Sequence, residues 1–157
     1  MNRVIRAGMN FGATSAVITT LGLMVGLYYG TQSTLAVIGG IVTIAVADAL
    51  SDALGMHLTQ EGEAKREKEV WTATISTFAA KLVVALTFLA PVLLLPLETA
   101  MAVCVAWGLI LISGLSYFIA ANEGKQPMKV IAEHLAIAIA VIVITYFLGI
   151  WVHAAFA

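Results

Sequence analysis

Five long apolar runs, separated only by short polar breaks, constrain this chain more than anything else in it. The runs extend from Phe11 to Gly30, Leu35 to Leu58, Val70 to Leu95, Thr99 to Ala121 and Met128 to Val152. A helix crossing a bilayer needs about 20 mostly apolar residues, and each run meets that length. Barrel strands would be near 10 residues with strict alternation, a pattern these runs lack. The fold class expected is therefore an all-α integral membrane protein of five transmembrane helices. The whole of 1–157 forms one domain, with 61–69 as a short charged linker between helices 2 and 3. Composition excludes the alternatives: 61% of residues are hydrophobic and 11% charged, against about 25% charged in a soluble domain. Disordered chains are charge-rich and apolar-poor. A net charge of −1 gives no basic footprint for nucleic acid. The single cysteine, Cys104, rules out a disulfide framework or a cysteine metal site.

Orientation follows from the asymmetry of Lys and Arg. Arg3 and Arg6 precede helix 1, Lys65, Arg66 and Lys68 lie between helices 2 and 3, and Lys125 and Lys129 flank the turn between helices 4 and 5. The other breaks and the C-terminal tail carry none, and Lys81 falls inside helix 3. This places the N-terminus in the cytoplasm and the C-terminus on the opposite side. The first run is long enough to span and lacks a clear cleavage site, so it reads as a retained helix rather than a signal peptide. The expected location is the plasma membrane of a prokaryote.

Ionisable groups inside a bilayer are costly and call for a partner or a task. Asp48 and Asp52, at i and i+4, share one face of helix 2. Counted inward from Leu58 at about 1.5 Å per residue, Asp52 is roughly 9 Å deep and Asp48 roughly 15 Å. Met56 continues that face one turn nearer the cytoplasm. Carboxylate oxygens with a thioether suit a divalent first-row metal such as Fe²⁺ or Mn²⁺. The bland alternative is a pair of acids neutralised by protonation or by a partner. Lys81, also roughly 15 Å deep, is the candidate charge partner, and a structural ion pair is the favoured role for it. Ser15 and Thr19, again at i and i+4, offer hydroxyl oxygens from helix 1. Glu61, Glu63, Glu67 and Glu133 are candidates for gathering cations at the cytoplasmic mouth, although a solvated linker explains the first three and helix-dipole stabilisation explains Glu133. Gly22 and Gly26 form a GxxxG pattern, a surface for close helix contact and the expected seam of a homodimer. Pro91 predicts a kink or an early end in helix 3.

Two segments resemble the vacuolar iron transporter family. Gly12-Ala13-Thr14-Ser15-Ala16-Val17-Ile18-Thr19-Thr20-Leu21 is similar to that family's first helix, and Ala47-Asp48-Ala49-Leu50-Ser51-Asp52-Ala53-Leu54-Gly55-Met56-His57-Leu58-Thr59 to its second. Gly124-Lys125 with Pro127, and Thr145-Tyr146-Phe147-Leu148-Gly149, extend the likeness to the end of the chain. The resemblance implies a homodimer that exports Fe²⁺ or Mn²⁺ from the cytoplasm in exchange for protons, along a path lined by helices 1 and 2. The chain departs from it at three residues and in one segment. Ser15 stands where the family has an aspartate, Asp52 where it has a methionine, and Met56 where it has a glutamate. The family's glutamate-rich cytoplasmic domain is reduced to the run Glu61 to Glu69. The expected function is thus divalent-metal transport by proton exchange, with the bilayer, metal ions and protons as partners and no resident cofactor. The alternatives are a non-transporting relative serving as an assembly or regulatory subunit and, below it, an intramembrane Mg²⁺-dependent enzyme acting on lipid phosphate. The last lacks the further acids and arginine clamp such chemistry uses, so the chain is not expected to be an enzyme.

Overall fold

The apolar runs form helices because a backbone in hydrocarbon must satisfy its own N–H and C=O groups. The computed structural model describes residues 3–156. Helix α1 covers Arg3–Thr31, α2 Thr34–Gly62, α3 Glu67–Thr87, α4 Leu89–Leu94, α5 Leu97–Glu123 and α6 Pro127–Phe156. With α3 and α4 taken together as one span, five helices are long and apolar enough to cross a membrane. No strand occurs among the described residues.

The chain reverses through compact joints. Ser33 caps α2 by accepting from the Ala36 N–H at 3.3 Å, the side-chain capping that orphan helix donors favour. Gly124 ends α5 with φ at +67°, a left-handed value that glycine adopts without strain. Pro127 then opens α6 at the one helical position that needs no N–H. The linker expected over 61–69 is shorter in the structure. Glu61 belongs to α2 and Glu67 to α3, leaving only 63–66 outside a helix. Acidic Glu67 and Glu69 in the first turn of α3 favour extension of that helix into the polar zone.

Pro91 acts at a distance. The third span breaks at Phe88, whose N–H turns back to Ala85 O at 3.2 Å. Proline lacks a donor and its ring collides with the carbonyl four residues earlier, here that of Thr87. At the break the Phe88 carbonyl accepts from the Cys104 thiol of α5 at 3.6 Å.

Helix α1 is the hub, packing against α2, α3, α5 and α6. In its most apolar stretch 50% of residues are buried within the protein, against 11% for α6, so most of α6 lies on the outside of the bundle. Small residues set these contacts. A Cβ on Gly12 would collide with the Thr77 carbonyl of α3, and one on Gly149 would lie 2.7 Å from Gly26 O. Gly22 likewise meets Val141 of α6, and Gly26 lies beside Thr145. The GxxxG pattern is therefore spent inside the protomer on the α1–α6 contact, which corrects its expected role as a dimer seam. The sequence motif announces close approach but does not name the partner helix.

Candidate functional site

Lys81 is the centre of the site. On α3, with its side chain 1% exposed, it is a fully buried lysine. Its ammonium donates to Ser15 Oγ of α1 at 2.8 Å and to Asp52 Oδ2 of α2. Asp48 Oδ2 lies 2.6 Å from the same nitrogen but is not aligned as a hydrogen-bond acceptor, so that attraction is coulombic. Three helices thus converge on one ammonium. The i, i+4 spacing aims both acids at it, and Ser15 completes the set from the hub helix.

This arrangement has two sides. The inner side is closed by Lys81. The outer side is open: Asp48 lines a groove of about 600 Å³ between α1 and α2, together with Thr19, Thr43, Gly39 and Gly40. Thr19, in the lining of that groove, donates its hydroxyl to Ser15 O at 2.9 Å. The side chains of Asp48 and Asp52 are 26% and 19% exposed, and of the two only Asp48 lines the groove. Two acidic side chains share one ammonium, so the cluster holds one acid more than its single base.

The structure brings together four of the residues singled out in the sequence: Ser15, Asp48, Asp52 and Lys81. Ser15 differs from expectation in that its hydroxyl accepts from Lys81 rather than standing free. Thr19 sits on the groove side. Met56 is half-buried farther along α2. Thr43 was not legible as a site residue, because a lone threonine in an apolar helix carries no spacing signal.

The outlying glutamates do not form one mouth. Glu61 lies 3.5 Å from His57 Nε2 and Glu63 lies 3.6 Å from Lys65, while Glu67 is exposed. Glu133 stands apart, 4.0 Å from Lys129 in a cleft between α5 and α6 shared with Glu123, Lys125 and His134. His57 faces away from the acids, bonding Thr74 at 3.0 Å and packing edge-to-face on Trp71. Among the described residues no group of three or more His, Cys, Asp or Glu side chains is gathered as a metal cage. Compared with known protein families, curated proteins and solved structures, the chain matches none of them.

Proposed function

We propose that this chain is a homodimeric exporter of a divalent metal, Fe²⁺ or Mn²⁺, that exchanges the metal for protons across the membrane. One observation carries the reading: the buried cluster holds two carboxylates against one ammonium, within spanning helices and beside an open groove. A purely structural ion pair needs one acid per base. The second acid is a liability in a bilayer unless a mobile cation visits it. The resemblance to the vacuolar iron transporter family supports the same class of cargo and a path along α1 and α2.

In this mechanism the metal comes from the cytoplasm past Met56, then meets Asp52 and Asp48. Thr19 adds a hydroxyl oxygen from the groove. Carboxylates must be free of protons to ligate a metal, so loading releases protons and unloading takes them up. Lys81 holds the acids in register and limits metal affinity by direct repulsion, which suits release. The orientation belongs to the same proposal: N-terminus in the cytoplasm, in the plasma membrane of a prokaryote. It is supported by Arg3, Arg6 and Lys125, which gather at one end of the bundle, where Arg6 bonds Asn122 at 3.0 Å.

Reconstituted into liposomes with a pH-sensitive dye inside, the protein should move Fe²⁺ or Mn²⁺ with opposite proton flux. Asp52→Asn should lower that flux by at least about tenfold, since asparagine keeps the shape but ligates a hard cation poorly. Full transport by the Asp48→Asn/Asp52→Asn double variant would end the proposal. A second reading, a non-transporting membrane subunit, is favoured by one feature: Lys81 already fills the point where the acids converge. Under that reading neither Fe²⁺ nor Mn²⁺ moves.

A further inference from the structure

A second concavity lies at the end of the bundle away from Arg3 and Lys125. It is a cleft of about 910 Å³ between the C-terminal end of α1, the N-terminal half of α5 and the C-terminal half of α6. Tyr28, Tyr29, Tyr146 and Phe147 line it. Their rings form a chain of edge-to-face contacts: 4.8 Å from Tyr28 to Tyr29, 4.5 Å on to Tyr146 and 5.2 Å on to Phe147. The remaining wall is aliphatic except for one residue, Glu98. Glu98 and Leu109 mark the extent of the cleft along α5, a distance of roughly 16 Å at 1.5 Å per residue. Glu98 stands in the first turn of α5, so the cleft has a charged mouth and an apolar body.

The charge at that mouth has no local answer. Glu98 is exposed, and none of the chain's lysines or arginines lines the cleft. An acid in a first helical turn is favoured by the helix dipole, which accounts for Glu98 on α5 but not for three tyrosines gathered around the same opening. Aromatic rings attract organic cations through their quadrupoles, and cages of them recognise quaternary ammonium groups. A carboxylate beside such rings selects positive charge over a neutral head.

We propose that this cleft is a binding site for a monocationic amphiphile with an alkylammonium head. The head lies between Glu98 and the tyrosines, and the hydrocarbon tail runs along the aliphatic wall of α5 and α6 through Val105 and Ile142. Zwitterionic phospholipids fit less well, because their phosphate would face Glu98 with no lysine or arginine to meet it. The site is separate from the Asp48–Lys81–Asp52 cluster and does not depend on metal transport.

The full chain in a non-ionic maltoside micelle tests this by equilibrium dialysis with radiolabelled dodecyltrimethylammonium, measured above the uptake of empty micelles. The expected result is saturable one-to-one binding. Glu98→Gln should weaken it by about tenfold, the scale of one desolvated cation contact, and Glu98→Asp should recover most of it. Tyr146→Leu should weaken binding similarly while the exposed Glu98 variants report on a protein whose packing is undisturbed. Dodecanol and a short-chain phosphatidylcholine should fail to compete at equal concentration. Binding that Glu98→Gln changes by less than about threefold, or equal competition by either neutral-head or zwitterionic compound, would overturn the proposal.

Discussion

The two flanks of α1 solve opposite problems. Towards α2 and α3 it presents Ser15 to a buried lysine and two acids. Towards α6 it presents glycines against Val141, Thr145 and Gly149. Both flanks rely on backbone proximity, at Gly12 against Thr77 and at Gly26 against Gly149; the α2–α3 flank adds charge and hydrogen bonds at Ser15. The contrast shows that an apolar composition leaves the stabilising chemistry undecided. In a bilayer the hydrophobic effect does not drive helices together, so close packing and polar contacts must do so; α1 packs closely on both sides and adds buried charge on one.

Substitutions separate the two flanks. The largest effect should come from Lys81→Met, which strands two carboxylates beside a buried apolar side chain. Breaking a buried ion pair from one side costs about 3–5 kcal/mol, so the variant should unfold early or fail to elute as a single species on fluorescence-detected size exclusion. Adding Asp48→Asn and Asp52→Asn to Lys81→Met should restore much of the loss. No restoration would mean that Lys81 acts through shape rather than charge.

Gly149→Leu should come next, at about 2 kcal/mol or more, the scale of forced overpacking. Its Cβ would sit 2.7 Å from a carbonyl oxygen and 3.1 Å from Gly30 N, and backbone atoms cannot swing aside. The control is Gly114→Ala in α5, which meets nothing within 4 Å and should stabilise by up to about 1 kcal/mol through helix propensity. Thermal midpoints in detergent report both. Equal behaviour of the two glycines would erase the dispersion-held flank from the comparison.

A smaller loss, about 1 kcal/mol, is expected for Ser116→Ala. It removes the 2.7 Å contact to His134 Nδ1, a polar link joining α5 to α6. The smallest effect lies at the end of the bundle outside both flanks. The Glu123 carboxylate beside Lys125 holds its ammonium above the ordinary lysine value of 10.5. A raised folded-state value stabilises below the unfolded value and is lost as pH rises through the folded one. The pair is solvated, so Lys125→Gln should leave the thermal midpoint unchanged at neutral pH within error, and wild type and variant should remain together as pH passes 10.5.

The number of spanning helices was legible because it depends on run length alone, a one-dimensional quantity. The acid pair was legible for a related reason: i, i+4 spacing fixes a shared face without knowledge of any neighbour. Lys81 was reachable through depth, since the two antiparallel helices of a hairpin are counted inward from the same membrane face. Beyond that the sequence falls silent. Ser15 reads as a free hydroxyl until α3 is known to lie against it. Gly22 and Gly26 mark a close contact without saying with whom. Tyr28, Glu98 and Tyr146 come from three helices far apart in the chain, and no periodicity links them.

The separation of 29 residues between Asp52 and Lys81 has a meaning during synthesis. The chain emerges from its N-terminus, so both acids of α2 are made well before the lysine that answers them. If α2 settled in the bilayer alone, it would have to carry its acids protonated or exposed to water. The α2–α3 hairpin is the smallest unit in which the carboxylates and the ammonium enter together, and α1, already made, offers Ser15 to receive it. Entry of the second helix with both acids charged and shielded from water is thus tied to the third.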